Sequence, residues 1–347
     1  MKKVKVIGLG AITAIGNSAE EIWEKLNQAD IESLNVEKLE YTSVLSGAKK
    51  RRINRYSDMA VFTAKKAMDD ACATANVGSE RIGTIYSTGY GPMVSNLDFA
   101  KKVHAGDPDL CSPTVFSGTV SNACVGHVCM NLNCKGASTT IMGSNNIGYS
   151  QMLLSKGAVD FILSGAIEEY DEELYDSFHR AEKAKGVKFC ESAVSILLAR
   201  EEMSAQKEYC KLVDFEECDL SAYPVFNDVD EQQAICNMQS VLKRLVADRK
   251  IDLVLTADSG TAFGALEQKA IDTVLPQVSC VDNVKVLFGE TLGAAFNINA
   301  LVASLVLKNG CVPKALHVKN PTSEPIAHVL VTGFNVSGSY VAYLFEK

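Results

Sequence analysis

GASTTIMGSNNIGYSQMLLSKGAVDFILSGAIEE, residues 136–169, reads as a strand at Thr139–Met142, a tight turn at Gly143–Asn146, a helix at Ile147–Lys156, a turn at Gly157 and a second buried strand at Phe161–Ser164. A strand that stops at a small-residue turn and feeds a helix sets the turn at the helix N-terminus. Unpaired N–H groups and the helix dipole there favour a nucleophile or an anion. Ser144 occupies that turn.

Working outward, the same alternation of strand and helix continues in both directions. Val4–Ile7 is a β-branched strand followed by glycines, and Ser18-Ala19-Glu20-Glu21 is a capping box that opens a helix through Trp23 and Leu26. The Gly-Leu-Gly at 8–10 is not a dinucleotide fingerprint, because the next glycine comes too late and the helix starts after Asn17. A helix is expected over Ser57–Ala73, a strand over Ile82–Ser87, a loop over Pro113–Gly118 and a helix of small residues over Asn122–Leu132. The polar segment Asp171–Lys188 reads as a surface excursion, and Ser192–Ala199 as a buried strand. The second half of the chain repeats this alternation, with strand Lys211–Phe215, helix Glu231–Asp248, strand Ile251–Thr256, glycine-rich turn Asp258–Gly264, helix Ala265–Leu275, strand Val284–Val286 and apolar helix Gly293–Lys308. Two closing strands follow at His328–Thr332 and Ser339–Phe345. Such alternation gives an α/β protein with sheets covered on both faces, and its recurrence suggests a duplicated unit.

Composition narrows the function classes. The 347 residues carry a net charge of -8, with 47% hydrophobic and 22% charged residues. That acidic balance disfavours nucleic acid as a partner, and the short KKRRINR at 49–55 reads as a solvated basic patch. The opening MKKVKVIGLG fits a first strand better than a signal peptide, and no span of about 18 apolar residues is expected, so the reading is a cytoplasmic protein without a membrane span. The 11 cysteines are odd in number and scattered; Cys124, Cys129 and Cys134 fall on one helical face and read as small buried hydrophobes, with no metal site.

The ordered series GLGAITAIGNSAEEIWEKL, RINRYSDMAVFTAKKAMDDA, RIGTIYSTG, TTIMGSN, SKGAVDFILSGAIE, ESAVSILLARE, IDLVLTADSGTAFGALEQKAI and VKVLFGETLGAA resembles the β-ketoacyl-acyl-carrier-protein synthases over nearly the whole chain. The resemblance implies the thiolase fold, two β-α repeats forming a five-layered α-β-α-β-α sandwich, with an N-terminal half at 1–205 and a C-terminal half at 206–347. It also implies a nucleophilic Cys at the strand–helix turn, acylated from the phosphopantetheine arm of a carrier protein, and two His that stabilise the enolate of decarboxylation.

This chain departs from that plan. Ser144 stands at the Cys position, Asp258 near the first His, and Glu290 at the second His, while the accompanying Lys is kept as Lys285. The late glycine loop becomes Asn335-Val336-Ser337-Gly338, and Ser259, Thr261, Thr291, Phe334 and Val336 are the substrate-binding candidates. A Ser hydroxyl is a far weaker acid than a thiol of pKa about 8.5 and needs a base in reach. A carboxylate about 4 Å from a developing enolate costs on the order of 4 kcal/mol at an effective dielectric of about 20.

The expectation is therefore a non-condensing ketosynthase homologue resembling the chain-length factors of type II polyketide and aryl-polyene systems. Its partners would be an active ketosynthase in a heterodimer, or a second copy, together with an acyl carrier protein whose phosphopantetheine arm is the only cofactor implied. The alternatives are an acyl-thioester enzyme of altered chemistry (acyltransferase, decarboxylase or hydrolase) using Ser144 and Glu290, or a homodimeric binding scaffold with a closed pocket; under any of these, Ser144, Asp258, Lys285 and Glu290 can also be read as a hydrogen-bonded plug filling a vacated site.

Overall fold

The computed structural model describes residues 1–28, 37–72, 77–106, 111–143, 145–247, 249–256 and 258–347. In chain order the elements are β1 (Val4–Ile12), α1 (Ala19–Leu26), α2 (Gly47–Arg51), α3 (Arg55–Asp70), β2 (Ile82–Thr88), α4 (Met93–His104), α5 (Pro113–Ser117), α6 (Ala123–Leu132), β3 (Ser138–Met142), α7 (Asn146–Ser155), β4 (Phe161–Glu168), α8 (Glu172–His179) and β5 (Ser192–Arg200). There follow β6 (Cys210–Asp219), α9 (Glu231–Val246), β7 (Leu253–Leu255), α10 (Ala262–Val274), β8 (Ser279–Val281), α11 (Val284–Phe288), α12 (Ala295–Asn309), β9 (Val318–Lys319), β10 (His328–Phe334) and β11 (Ser339–Glu346).

The strands hydrogen-bond in the order β3-β2-β4-β5-β1-β6-β11-β10-β7-β8-β9. Around the short β1–β6 pairing at Val4–Val6, the order of the first set recurs in the second: β6, β7, β8, β10 and β11 take the places of β1 to β5. The hand of each pairing recurs too. β2 is parallel to β3 and β4, as β7 is to β8 and β10, while β5 and β11 run antiparallel to their neighbours.

Three apolar clusters show the layering. α3 and α6 cover one face of the first strand set, α9 and α10 cover one face of the second, and α1, α7 and α12 lie in the cluster that both sets share. Along β5, Val194, Ile196 and Leu198 face the shared cluster while Ala193, Leu197 and Ala199 face α3; β11 divides in the same way between Val341, Tyr343, Phe345 and Tyr340, Ala342, Leu344. Side chains alternate across a strand, so a strand buried on both faces must be apolar throughout. The order of layers is helix, strand, helix, strand, helix.

α12 is buried from Ala295 to Leu307. Its two buried asparagines tie it to both strand sets, Asn297 Nδ2 donating to Ser164 O (3.2 Å) and Asn299 Nδ2 to Thr256 O (3.3 Å). With the preceding turn it makes an 18-residue apolar span, Leu292–Asn309, long enough to cross a membrane, contrary to the sequence reading; 89% of that span is buried, as expected of a core helix.

Other expectations also change. β1 runs on to Ile12 through Gly8 and Gly10, because α3 lies directly on it: a Cβ at Gly10 would stand 2.0 Å from Thr63 O. Residues 113–117 form a short helix rather than a loop. Residues 284–286 are not a strand. They open α11, whose buried Val284, Leu287 and Phe288 follow helical spacing, and the strand lies earlier, at β8. The Asp171–Lys188 excursion contains α8, which buries Tyr175 and Phe178 against Phe189 and Phe226.

Candidate functional site

The turn between β3 and α7 has the expected form. Gly143 adopts φ +97° and donates to Thr88 O, and Asn145, at φ +85°, caps α7 by accepting from Gly148 N (3.1 Å). Asn145 is itself held across the molecule, its Oδ1 accepting from Tyr343 OH (2.8 Å) and its Nδ2 donating to Glu217 Oε2 (2.5 Å). Ser144 lies outside the described residues. Its neighbour Gly143 packs against Ser337, where a Cβ would stand 2.6 Å from Ser337 Oγ, so the glycine-loop remnant at 335–338 abuts the turn. Asn335 Oδ1 shapes that loop by accepting from Ser337 N and Ser339 N, both at 3.0 Å.

Four of the other candidates come together. Lys285 Nζ donates to Glu290 Oε2 (2.7 Å) and Ser259 Oγ (3.2 Å), and lies 4.3 Å from the ring centroid of Phe334. Ser259 Oγ donates to the same Glu290 Oε2 (2.7 Å), while Glu290 Oε1 accepts from Leu292 N (2.9 Å). Glu290 is fixed at the backbone as well, donating to Lys188 O and accepting from Cys190 N. Local geometry brings these groups together. Lys285 lies on α11, Gly289 at φ +85° ends that helix and turns the chain, and Gly289 abuts Cys190 so closely that a Cβ would stand 2.6 Å from the Cys190 Cβ. A pocket of about 110 Å³ is lined by Ser259, Lys285 and Glu290 together with Gly186, Val187, Lys188, Gly260 and Val286.

The remaining candidates stand around this cluster. Asp258 is half-buried, accepts from Gly260 N (2.8 Å) and packs against Gly264; burial pushes its carboxyl up from the ordinary range. Thr261 is the N-cap residue of α10, and Thr291 precedes the turn into α12; both Oγ1 atoms are buried with no hydrogen-bond partner among the described residues. Val336 packs against Gly89.

One residue of the site was not foreseen. Glu168 ends β4, wholly buried, accepting from Thr88 Oγ1 (3.2 Å), Gly89 N and Tyr90 N (3.3 Å) and abutting Gly293. Burial pushes its carboxyl up to about 7, with the surrounding donors opposing the shift. Its signal in the sequence is the pair of acids that closes the otherwise apolar run FILSGAIEE. Glu169, next to it, is also buried and is pushed up to about 8 chiefly by burial.

Residues 221–319, which include Ser259, Lys285 and Glu290, match the model of the β-ketoacyl synthase C-terminal domain. Over 93% of its length the chain is 25% identical to 3-oxoacyl-(acyl-carrier-protein) synthase 2 of Synechocystis sp., covering 89% of that protein. The chain is thus similar to the β-ketoacyl-acyl-carrier-protein synthases along most of its length. It superposes with a TM-score of 0.83 on a solved complex of a type II polyketide acyl carrier protein with its ketosynthase (AntDE:AntF), at 18% identity over 100% of this chain and 99% of the other. A solved ketosynthase in complex with its chain-length factor (ApeO and ApeC of Xenorhabdus doucetiae) matches with a TM-score of 0.74, at 17% identity over 99% and 98% of the two chains. The fold of this chain is the thiolase fold of the ketosynthases, as the resemblance implied.

Proposed function

We propose that this chain is a non-condensing, chain-length-factor-like partner of an active ketosynthase whose substrates ride on the phosphopantetheine arm of an acyl carrier protein. The state of Glu290 carries the reading. Both of its oxygens already accept hydrogen bonds, from Lys285, Ser259 and Leu292 N. Enolate stabilisation needs a donor at this position, and an acceptor carboxylate opposes the charge that develops.

Two surface features support the partnership. β3 is the terminal strand of the sheet, and its outer residues Ser138 and Met142 are exposed where β2 beside it is buried throughout. Met130 on α6 is 72% exposed, and α6 packs beside β3. An exposed terminal strand with large apolar side chains such as Met142 and Met130 beside it is what a second sheet or chain covers. Lys49, Arg51 and Arg52 are exposed on an otherwise acidic molecule and give an acidic carrier protein a place to dock.

The test is co-expression with a Cys-bearing ketosynthase from the same source. The expected result is a stable one-to-one complex whose product length changes when this chain is replaced. A stable homodimer that ignores that partner overturns the reading.

A further inference from the structure

The pocket beside α11 holds a hydroxyl, a carboxylate and an ammonium in mutual contact. We propose that Ser259 is a nucleophile, with Glu290 as its base and Lys285 as its electrostatic support, and that this pocket hydrolyses thioesters of short acyl groups. Such an activity is independent of the partnership proposed above, and it moves the chemistry away from the turn at Ser144.

The arrangement meets the requirements of a hydroxyl nucleophile one by one. A Ser needs a base within hydrogen-bond reach, and that base needs a third group to orient it. Ser259 Oγ donates to Glu290 Oε2 at 2.7 Å, and Leu292 N holds the other oxygen of Glu290 at 2.9 Å. Lys285 Nζ, 3.2 Å from Ser259 Oγ, places a positive charge where alkoxide character develops. Its interactions with Glu290 and the Phe334 ring keep it there.

A carbonyl attacked at Ser259 also needs donors for its oxygen. α10 is 13 residues long and begins just beyond Ser259; its N-cap Thr261 makes no side-chain cap, while Gly264 N in the first turn donates to Thr261 O and packs against the Asp258 carboxylate. Donors at a helix N-terminus favour a developing oxyanion.

The steps balance without any further reactant but water. Ser259 Oγ bonds to the acyl carbon as its proton passes to Glu290. The carbon–sulfur bond then breaks, the proton goes to the departing sulfur, and an acyl-Ser259 ester and a free thiol remain. Water adds to the ester, giving a proton to Glu290; collapse releases the carboxylic acid and returns the proton to Ser259 Oγ.

The pocket favours short acyl groups: its volume of about 110 Å³ takes an acetyl to butyryl group, and a longer chain would have to leave through its open side into solvent.

Thiol release from acetyl-, butyryl- and palmitoyl-pantetheine thioesters, combined with peptide mass mapping of the full chain, tests this. Acetyl and butyryl thioesters are expected to be cleaved, with the transient acyl group on the peptide that carries Ser259. Ser259→Ala should abolish release, and Glu290→Gln should slow it about 100-fold or more. Ser259→Cys retains a nucleophile and should trap the acyl group as a hydroxylamine-labile thioester, which gives a readout even if the Ala variant fails to fold. No release from any thioester, release that survives Ser259→Ala in a folded protein, or cleavage of the palmitoyl substrate as fast as the acetyl one would overturn the proposal.

Discussion

Lys285 Nζ lies 2.7 Å from Glu290 Oε2 with the two side chains 5% and 1% exposed, so each charge depends on the other for its solvation. Removing one partner of a buried ion pair leaves an uncompensated charge and costs about 3–5 kcal/mol, whereas exchanging both for apolar groups of similar volume is often neutral. Glu290→Ala and Lys285→Ala are therefore each expected to lower the urea midpoint strongly, and Lys285→Met with Glu290→Leu to restore most of the loss. Additive losses in a double-mutant cycle would show that the two side chains are not coupled.

Glu168 gives the fold a pH dependence of definite sign. Burial raises its carboxyl to about 7 in the folded chain against an unfolded value near 4.5, so the folded state holds its proton more tightly. Stability from this group is fully present below the unfolded value and is lost as pH rises from about 4.5 through about 7. The loss is on the order of 3 kcal/mol. Glu169 adds a loss of the same sign that extends to about pH 8. Denaturation at pH 5 and pH 8 is expected to show the protein less stable at the higher pH, and Glu168→Gln should flatten part of that slope. A slope unchanged in the Gln variant would exclude Glu168 as its source.

Gly10 allows α3 to lie on β1. A methyl group there would meet Thr63 O at 2.0 Å and Ala67 N at 2.7 Å, both backbone atoms that cannot rotate away. Overpacking of this kind costs about 3 kcal/mol or more, because strand and helix must separate. Gly10→Ala should appear in chemical denaturation as one of the most damaging single-methyl changes in the chain. A loss below about 1 kcal/mol would mean that the two elements part easily.

Phe178 tests what the sequence concealed. Its ring packs on Tyr90, Tyr175, Phe189 and Phe226 at centroid distances of 5.0–5.7 Å. Phe178→Ala is expected to cost about 3–5 kcal/mol, which a thermal or urea melt would register and a surface residue would not.

The strand–turn–helix at 138–155 was legible because the β-branched run at Thr139–Ile141 stops at the small-residue turn Gly143–Asn146 before the chain turns helical. α8 was not, because its buried aromatic side chains are set among Glu172, Glu173 and Asp176, and only packing against 189–226 reveals the inner face. The run VKVLF at 284–288 suits either a strand or one helical turn, and tertiary contacts chose the helix. At the site, the retained Lys285 and the replacement at 290 could be read from the chain, but the contact of Ser259 with both could not. It depends on how the β7–α10 loop meets α11, two segments whose approach no local pattern encodes.

Met130 and Met142 put the proposed partnership to its sharpest test. Both are large, apolar and exposed, at 72% and 53%, Met142 on the terminal strand β3 and Met130 on α6 beside it. A carboxylate at the centre of an apolar contact must be desolvated without a counter-charge, a penalty of several kcal/mol, while on a solvated surface it costs almost nothing. Met130→Glu combined with Met142→Glu should therefore leave the melting temperature of the isolated chain within about 2 °C of the original. The same variant should lose at least about 100-fold in affinity for a Cys-bearing ketosynthase in a titration monitored by light scattering. Retention of full affinity would place the contact elsewhere, and loss of the folded state would mean that the two methionines belong to the core of the chain itself.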